Sequence, residues 1–190
     1  AIRKEKSDKV NPMTNKVLGL GVSTLLIFGL GGYYLIASVQ GKGFIEVLLS
    51  GMSVPIQLGI GLGYGVLTAL VAIGIISRDF FKKEKKFYHN LIAQLDLGLG
   101  SILFLSLCAG FAEELFFRAG LQPLLGLWWT SIIFVAIHGY LNPRNLRISV
   151  YGAAMVFFIA GMGYLFREVG LISAMAAHTM LDVILFLNMT

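Results

Sequence analysis

Between Val17 and Leu187 the chain is almost unbroken apolar sequence, cut into lengths by short polar or turn-bearing segments. The lengths cluster near the roughly 20 residues that an α-helix needs to cross ~30 Å of hydrocarbon. They are Val17–Val39, Ile56–Ile76, Leu97–Gln122, Leu127–Leu141, Ile148–Phe166 and Leu171–Leu187, the fourth being short. Phe44–Val54, ahead of Pro55, either lies in the interface or extends the second stretch. Composition removes the soluble alternative. Of the residues, 57% are apolar and 13% charged, whereas a soluble domain carries about 25% charged. No soluble core of this size hides such a surplus, so lipid must be the solvent for most of the surface. The expected fold is all-α, a polytopic transmembrane helical bundle of about six helices.

Charge placement organises the rest. A net charge of +5 would suggest nucleic acid in a soluble protein. Here the positive residues sit in short blocks beside apolar spans, which is the pattern of membrane topology, and no nucleic-acid partner is expected. Ala1–Lys16 reads as a basic cytoplasmic tail, and residues 17–190 as one transmembrane domain with its functional core at about 97–188. Arg78–Asn90 reads as a basic loop, with His89 solvated within it. Placing the N-terminus inside puts 12 of the 15 Lys and Arg residues on that side. Both termini are therefore expected in the cytoplasm of a multi-pass protein, in the plasma membrane of a prokaryote. Val17–Val39 is longer than a signal-peptide core and lacks a small-x-small cleavage site, so it reads as a retained helix. Gly59, Gly61, Gly63 and Gly65 carry two overlapping G-x-x-x-G spacings, used for helix contact within the chain. Pro123 and Gly126 mark a turn. Gln57 reads as a cap at a helix break, Asp96 as a membrane boundary, and Trp128 and Trp129 as interfacial anchors.

Three short motifs interrupt the apolar sequence with chemistry. The first is Glu113-Glu114-Leu115-Phe116-Phe117-Arg118. Each ionisable residue at membrane depth costs roughly 2.5–3.5 kcal/mol on insertion scales, so the three together cost on the order of 8 kcal/mol before pairing. Glu114 and Arg118 have the four-residue spacing that lets helix neighbours pair. Glu113 points about 140° away from Arg118. The expected division of labour is a structural Glu114–Arg118 ion pair and a Glu113 left free for proton chemistry. The second motif runs from Phe134 to His138, and the third from His178 to Asp182, each again at four-residue spacing. If the chain reverses near Leu125-Gly126, Glu113 and His138 both lie about 18 Å from the outer end, and His178 lies about 12 Å from it. The three motifs are therefore expected to meet in one polar cavity.

At these residues the sequence resembles the intramembrane proteases called CPBP, the CAAX proteases and bacteriocin-processing enzymes, also named Abi proteins. Their pattern is E-E-x-x-x-R, then F-x-x-x-H, then H-x-x-x-(N/D), and the resemblance spans roughly Gly110 to Leu185. Phe117-Arg118-Ala119-Gly120-Leu121-Gln122 follows the family's F-R-G-x-L-Q stretch, with Ala119 in place of a common glycine. Asp182 stands where many members carry asparagine. The resemblance implies an endopeptidase acting on a membrane-embedded or membrane-anchored peptide or protein. It implies Glu113 as the group that activates water, His138 as its helper, and His178 with Asp182 on the oxyanion side. Two questions stay open on sequence alone. Catalysis is expected to need no cofactor, but Glu113, His138 and His178 would be the ligands if zinc were present. The chain is expected to be an enzyme, but a non-proteolytic immunity or scaffold protein with a protein-complex partner would keep the same motifs.

Overall fold

The computed structural model describes residues 12–95 and 97–190. The expectations for residues 1–11, which include Arg3, Lys4, Lys6 and Lys9, and for Asp96 lie outside the described residues.

Pro12 opens α1 (Pro12–Thr24), five residues ahead of the expected Val17. Proline's fixed φ and missing N–H suit a first helical turn. The helix runs on through a π-helical turn (Leu25–Gly29), α2 (Leu30–Tyr34) and a second π turn (Leu35–Val39). Phe44–Val54 resolves into a short helix, α3 (Phe44–Leu49), and the start of α4 (Val54–Ile76). Gln57 is fully buried at that break and donates to the carbonyls of Ser50 and Met52, at 2.9 and 2.8 Å.

The segment expected as a basic loop is helical. A 3-10 turn (Asp79–Phe81) leads into α5 (Lys82–Ala93). Phe81, Glu84 and Tyr88 point inward at helical spacing while Lys82, Lys83 and Lys86 stay exposed. This amphipathic face, masked in the sequence by its lysines, supplies the packing energy that fixes the helix. His89 is exposed as expected, and its ring also meets the Met189 carbonyl at 2.7 Å, tying α5 to the end of the last helix.

The third apolar stretch is one continuous run of α6 (Leu99–Glu114), a π-helical segment (Leu115–Leu121) and α7 (Gln122–Leu125). Pro123 lies inside this run rather than at a turn. The turn belongs to Gly126 alone, whose φ of 81° disfavours other residues. Next, α8 (Leu127–Ile137) ends four residues before the expected Leu141. His138 closes it and Gly139, at φ 79°, turns the chain away. The last two helices are α9 (Leu146–Glu168), whose Asn145 cap accepts from the Ile148 N–H, and α10 (Leu171–Met189).

Five of these helical runs are long and apolar enough to cross a membrane, with α8 as a shorter apolar helix. The protein is an integral membrane helical bundle. Gly61 and Gly65 on α4 lie against the Ser173 and Ala177 carbonyls of α10, where a Cβ would strike backbone. Gly59 and Gly63 face open space. The glycine pattern is thus spent on one helix pair within the chain. Gly32 likewise brings α2 onto the π-helical segment, since a Cβ there would stand 2.8 Å from the Phe116 nitrogen.

The shortness of α8 positions the site. Eleven residues rise only about 16 Å, half of the hydrocarbon thickness. The chain between His138 and Asn145 is therefore irregular at membrane depth. The Tyr140 carbonyl lies against Gly152, six residues or about 9 Å inside the start of α9. Non-helical backbone is tolerated there only where it is buried in protein or lines a water-filled cavity.

Candidate active site

Glu113 and Glu114 end the regular part of α6, and the π-helical segment begins at the next residue. A π turn widens the helix and re-aims neighbouring side chains, and such turns recur at functional sites. The two carboxylates, adjacent on the helix, enter different surroundings. Glu114 is fully buried, and its Oε2 accepts from Arg118 Nε at 3.0 Å. The expected ion pair is present, but Glu114 does more than neutralise an arginine. Its Oε1 lies 2.9 Å from His178 Nδ1 on α10. Arg118 is itself fully buried, and its Nη1 donates to Gln122 at 3.2 Å, while Gln122 donates to the Gly163 carbonyl at 2.8 Å. A hydrogen-bonded chain thus runs from α9 through Gln122, Arg118 and Glu114 to His178.

Glu113 faces a cavity of about 320 Å³. His138, His178, Asp182, Phe134 and Tyr140 line the same space. His138 Nε2 stands 3.3 Å from Glu113 Oε2, yet that oxygen has no partner in hydrogen-bonding geometry. His138 Nδ1 donates to the Phe134 carbonyl at 2.7 Å. That bond fixes the tautomer of the neutral ring and turns its other nitrogen towards Glu113. On the opposite wall His178 Nε2 lies 3.5 Å from Asp182 Oδ2. Ionised carboxylates only accept, so a ring that serves both Glu114 and Asp182 donates from each nitrogen.

Phe134 is the spacer of the site. Its ring stacks on His138 at 4.4 Å between centroids and meets the His178 edge at 5.6 Å. The Arg118 guanidinium lies 5.7 Å from its centre, and Phe117 supports it at 4.9 Å. The F-x-x-x-H spacing placed Phe134 beside His138, but nothing in the spacing pointed to His178 or Arg118. Tyr140 gave no sequence signal, because the loop that carries it read as the end of a helix.

The structure therefore brings Glu113, His138, His178 and Asp182 to one cavity and sets Glu114 and Arg118 behind it. Water access is graded. The side chains of His138 and Asp182 are 32% and 23% exposed, Glu113 is 10% exposed, and Glu114 and Arg118 are sealed. Both ring nitrogens of each histidine are directed at protein oxygens, and among the described residues no group of three or more His, Cys, Asp or Glu is arranged to hold an ion.

Comparison with known proteins locates this site within a family. Residues 96–184 match the model of the Rce1-like proteins, described as type II CAAX prenyl endopeptidase Rce1-like. The segment is thus similar to that family. It contains every residue of the cavity wall named above and the Glu114–Arg118 pair. An uncharacterized protein of Bacillus subtilis (strain 168), YpbD, is 39% identical over 84 residues. That stretch is 44% of this chain and 42% of YpbD, so the chain spans less than half the length of the curated relative it matches. No solved structure matches the chain. The helices before residue 96 lie outside the matched segment, yet α4 and the α1–α2 run pack directly on it through Gly61, Gly65 and Gly32.

Proposed function

We propose that the chain is an intramembrane endopeptidase of the CAAX-protease type, hydrolysing a peptide bond in a membrane-anchored or membrane-embedded substrate. One observation carries the reading. The Glu113 Oε2 is buried, lacks a hydrogen bond, and faces His138 across 3.3 Å in a cavity shared with His178. An unspent carboxylate beside an imidazole is equipped to take a proton from water.

In this scheme a water between Glu113 and the scissile carbonyl gives its proton to Glu113. His138, held by the Phe134 carbonyl, shares and orients that proton. The hydroxide oxygen bonds to the carbonyl carbon, and the carbonyl π electrons move onto oxygen. His178, held through Nδ1 by Glu114, turns its Nε2 N–H from Asp182 to this oxyanion. A preorganised donor of this kind is worth roughly 3–4 kcal/mol in other hydrolases. When the tetrahedral carbon collapses, the C–N bond breaks and the proton held by Glu113 and His138 passes to the leaving nitrogen. Asp182 acts as an orienting acceptor, which an ionised carboxylate can do and direct oxyanion donation it cannot.

The proposal is metal-free, and it is supported by the histidine nitrogens being committed to Phe134, Glu113, Glu114 and Asp182. It also places both termini and the basic helix α5 in the cytoplasm, supported by the lysines of α5 and by the His89–Met189 contact that sets the C-terminal end beside them. The test is Glu113→Gln in cells, with mass spectrometry of membrane-protein termini in the presence of wild-type or variant protein. New termini that appear only with wild type support the reading. Identical termini from both proteins overturn it. Purified protein is expected to keep its cleavage after exhaustive chelation, and cleavage lost on chelation and restored by zinc would overturn the metal-free step alone.

A further inference from the structure

A second cavity, of about 410 Å³, lies on the other side of the His138–Asn145 loop, under the basic helix α5. Its wall includes Glu84, Lys83, Phe87, Tyr88, Gly139 and Asn145. Glu84 is the unexpected member. It sits in a run of lysines, yet it is 93% buried, being 7% exposed. Asn145 donates to its Oε1 at 3.2 Å, while its Oε2 is buried with no partner. Among the described residues no lysine or arginine closes on it as an ion pair. A buried carboxylate oxygen left unpaired is costly, and one that lines a cavity calls for a donor from outside the chain.

The surroundings narrow the donor. Lys82, Lys83, Lys85 and Lys86 lie on α5, Arg144 in the loop before α9 and Arg147 in its first turn, so a simple cation would enter a repelling field. A ligand that brings a phosphate with its cation resolves the conflict. The phosphate meets the lysines and arginines, and the cation reaches Glu84. The setting is a membrane interface. Phe80, Phe87 and Leu146 are 51%, 63% and 75% exposed beside these charges, and Arg147 lies over the Phe80 ring at 5.3 Å. Basic residues interleaved with exposed apolar side chains are the signature of a segment seated among headgroups. Burial and the nearby Glu84 push the Tyr88 phenol upward, so it remains a neutral donor at the cavity wall.

We propose that this cavity binds the headgroup of a phospholipid that carries a primary ammonium, such as phosphatidylethanolamine. The ammonium N–H groups bond the Glu84 carboxylate, whose Oε2 turns outward to meet them, and Lys83 meets the phosphate. The proposal is independent of the protease reading.

The experiment is native mass spectrometry of the detergent-purified chain, titrated with lipids of equal acyl chains. Phosphatidylethanolamine is expected to bind about tenfold more tightly than phosphatidylcholine, whose quaternary nitrogen has no N–H to give. Glu84→Gln should bring the two within about twofold and leave phosphatidylglycerol binding unchanged. Lys83→Ala should weaken all three lipids by a similar factor. A wild-type protein without the preference, or a Glu84→Gln variant that keeps it, overturns the proposal. Should Glu84→Gln melt well below wild type, the same contact is read from the ligand side. Adding one, two and three N-methyl groups to the headgroup must weaken binding stepwise in wild-type protein, and a flat series overturns the proposal. Soluble phosphoethanolamine binding as tightly as the lipid would overturn the lipid as its source.

Discussion

Two sets of polar side chains meet at His178, and they treat burial in opposite ways. Behind the cavity, Glu114 and Arg118 are sealed from solvent, with Glu114 bonded to both Arg118 and His178, and Arg118 linked through Gln122 to α9. At the cavity wall, Glu113, His138 and Asp182 keep partial access to water, and Glu113 Oε2 has no hydrogen bond. The two glutamates are neighbours in sequence at the end of α6 and face different sides of that helix. The lesson is that an intramembrane charge is tolerated by complete pairing or by water, and only the second leaves a group free to move a proton. The first set holds the second in place.

Substitutions can break that division. The largest effect is expected from Arg118→Ala, which strands Glu114 and His178 and should lower stability by roughly 3–5 kcal/mol. Thermal melting in detergent reads it, and a melting point equal to wild type would erase the distinction. Glu113→Gln comes next and should act on the other quantity. Cleavage is expected to fall on the order of 10³-fold, as for loss of a general base, with melting close to wild type. Substantial unfolding in this variant would place Glu113 with the sealed set.

Smaller effects sharpen the comparison. Gly32→Ala drives a methyl into the Phe116 backbone at 2.8 Å. The cost should be about 1–3 kcal/mol, as for overpacking, and the displaced π-helical segment should lower cleavage although Gly32 is remote from the cavity. An unchanged rate in this variant would show that the segment is not held by α2. Ser131→Ala removes the outer contact of Arg118, which is 3.5 Å long, and a local bond from the hydroxyl to the Leu127 carbonyl. A loss of about 0.5 kcal/mol or less is expected, and a loss as large as that of Arg118→Ala would show that the sealed set has no weak member.

Much of the protein was legible in its sequence. Apolar length set the number and order of the helices, because lipid leaves few ways to satisfy a backbone. Four-residue spacing gave the Glu114–Arg118 pair and the His178–Asp182 pair, because an α-helix stacks such residues on one face. Similar depth along their helices pointed to Glu113, His138 and His178 meeting, and all three line one cavity. What escaped the sequence is what depends on neighbours. The helix α5 was hidden because its lysines outweigh three inward residues in any local count, and only contact with the bundle selects that face. The early end of α8 rests on Gly139 and on the close approach of the Tyr140 carbonyl to Gly152, residues far apart in the chain. The π-helical segment after Glu114 is held by α2 pressing through Gly32. Periodicity fixed which residues share a face and set Glu113 apart from the Glu114–Arg118 pair, but the tertiary structure alone decided that Glu114 would spend its second oxygen on His178, a residue from another helix.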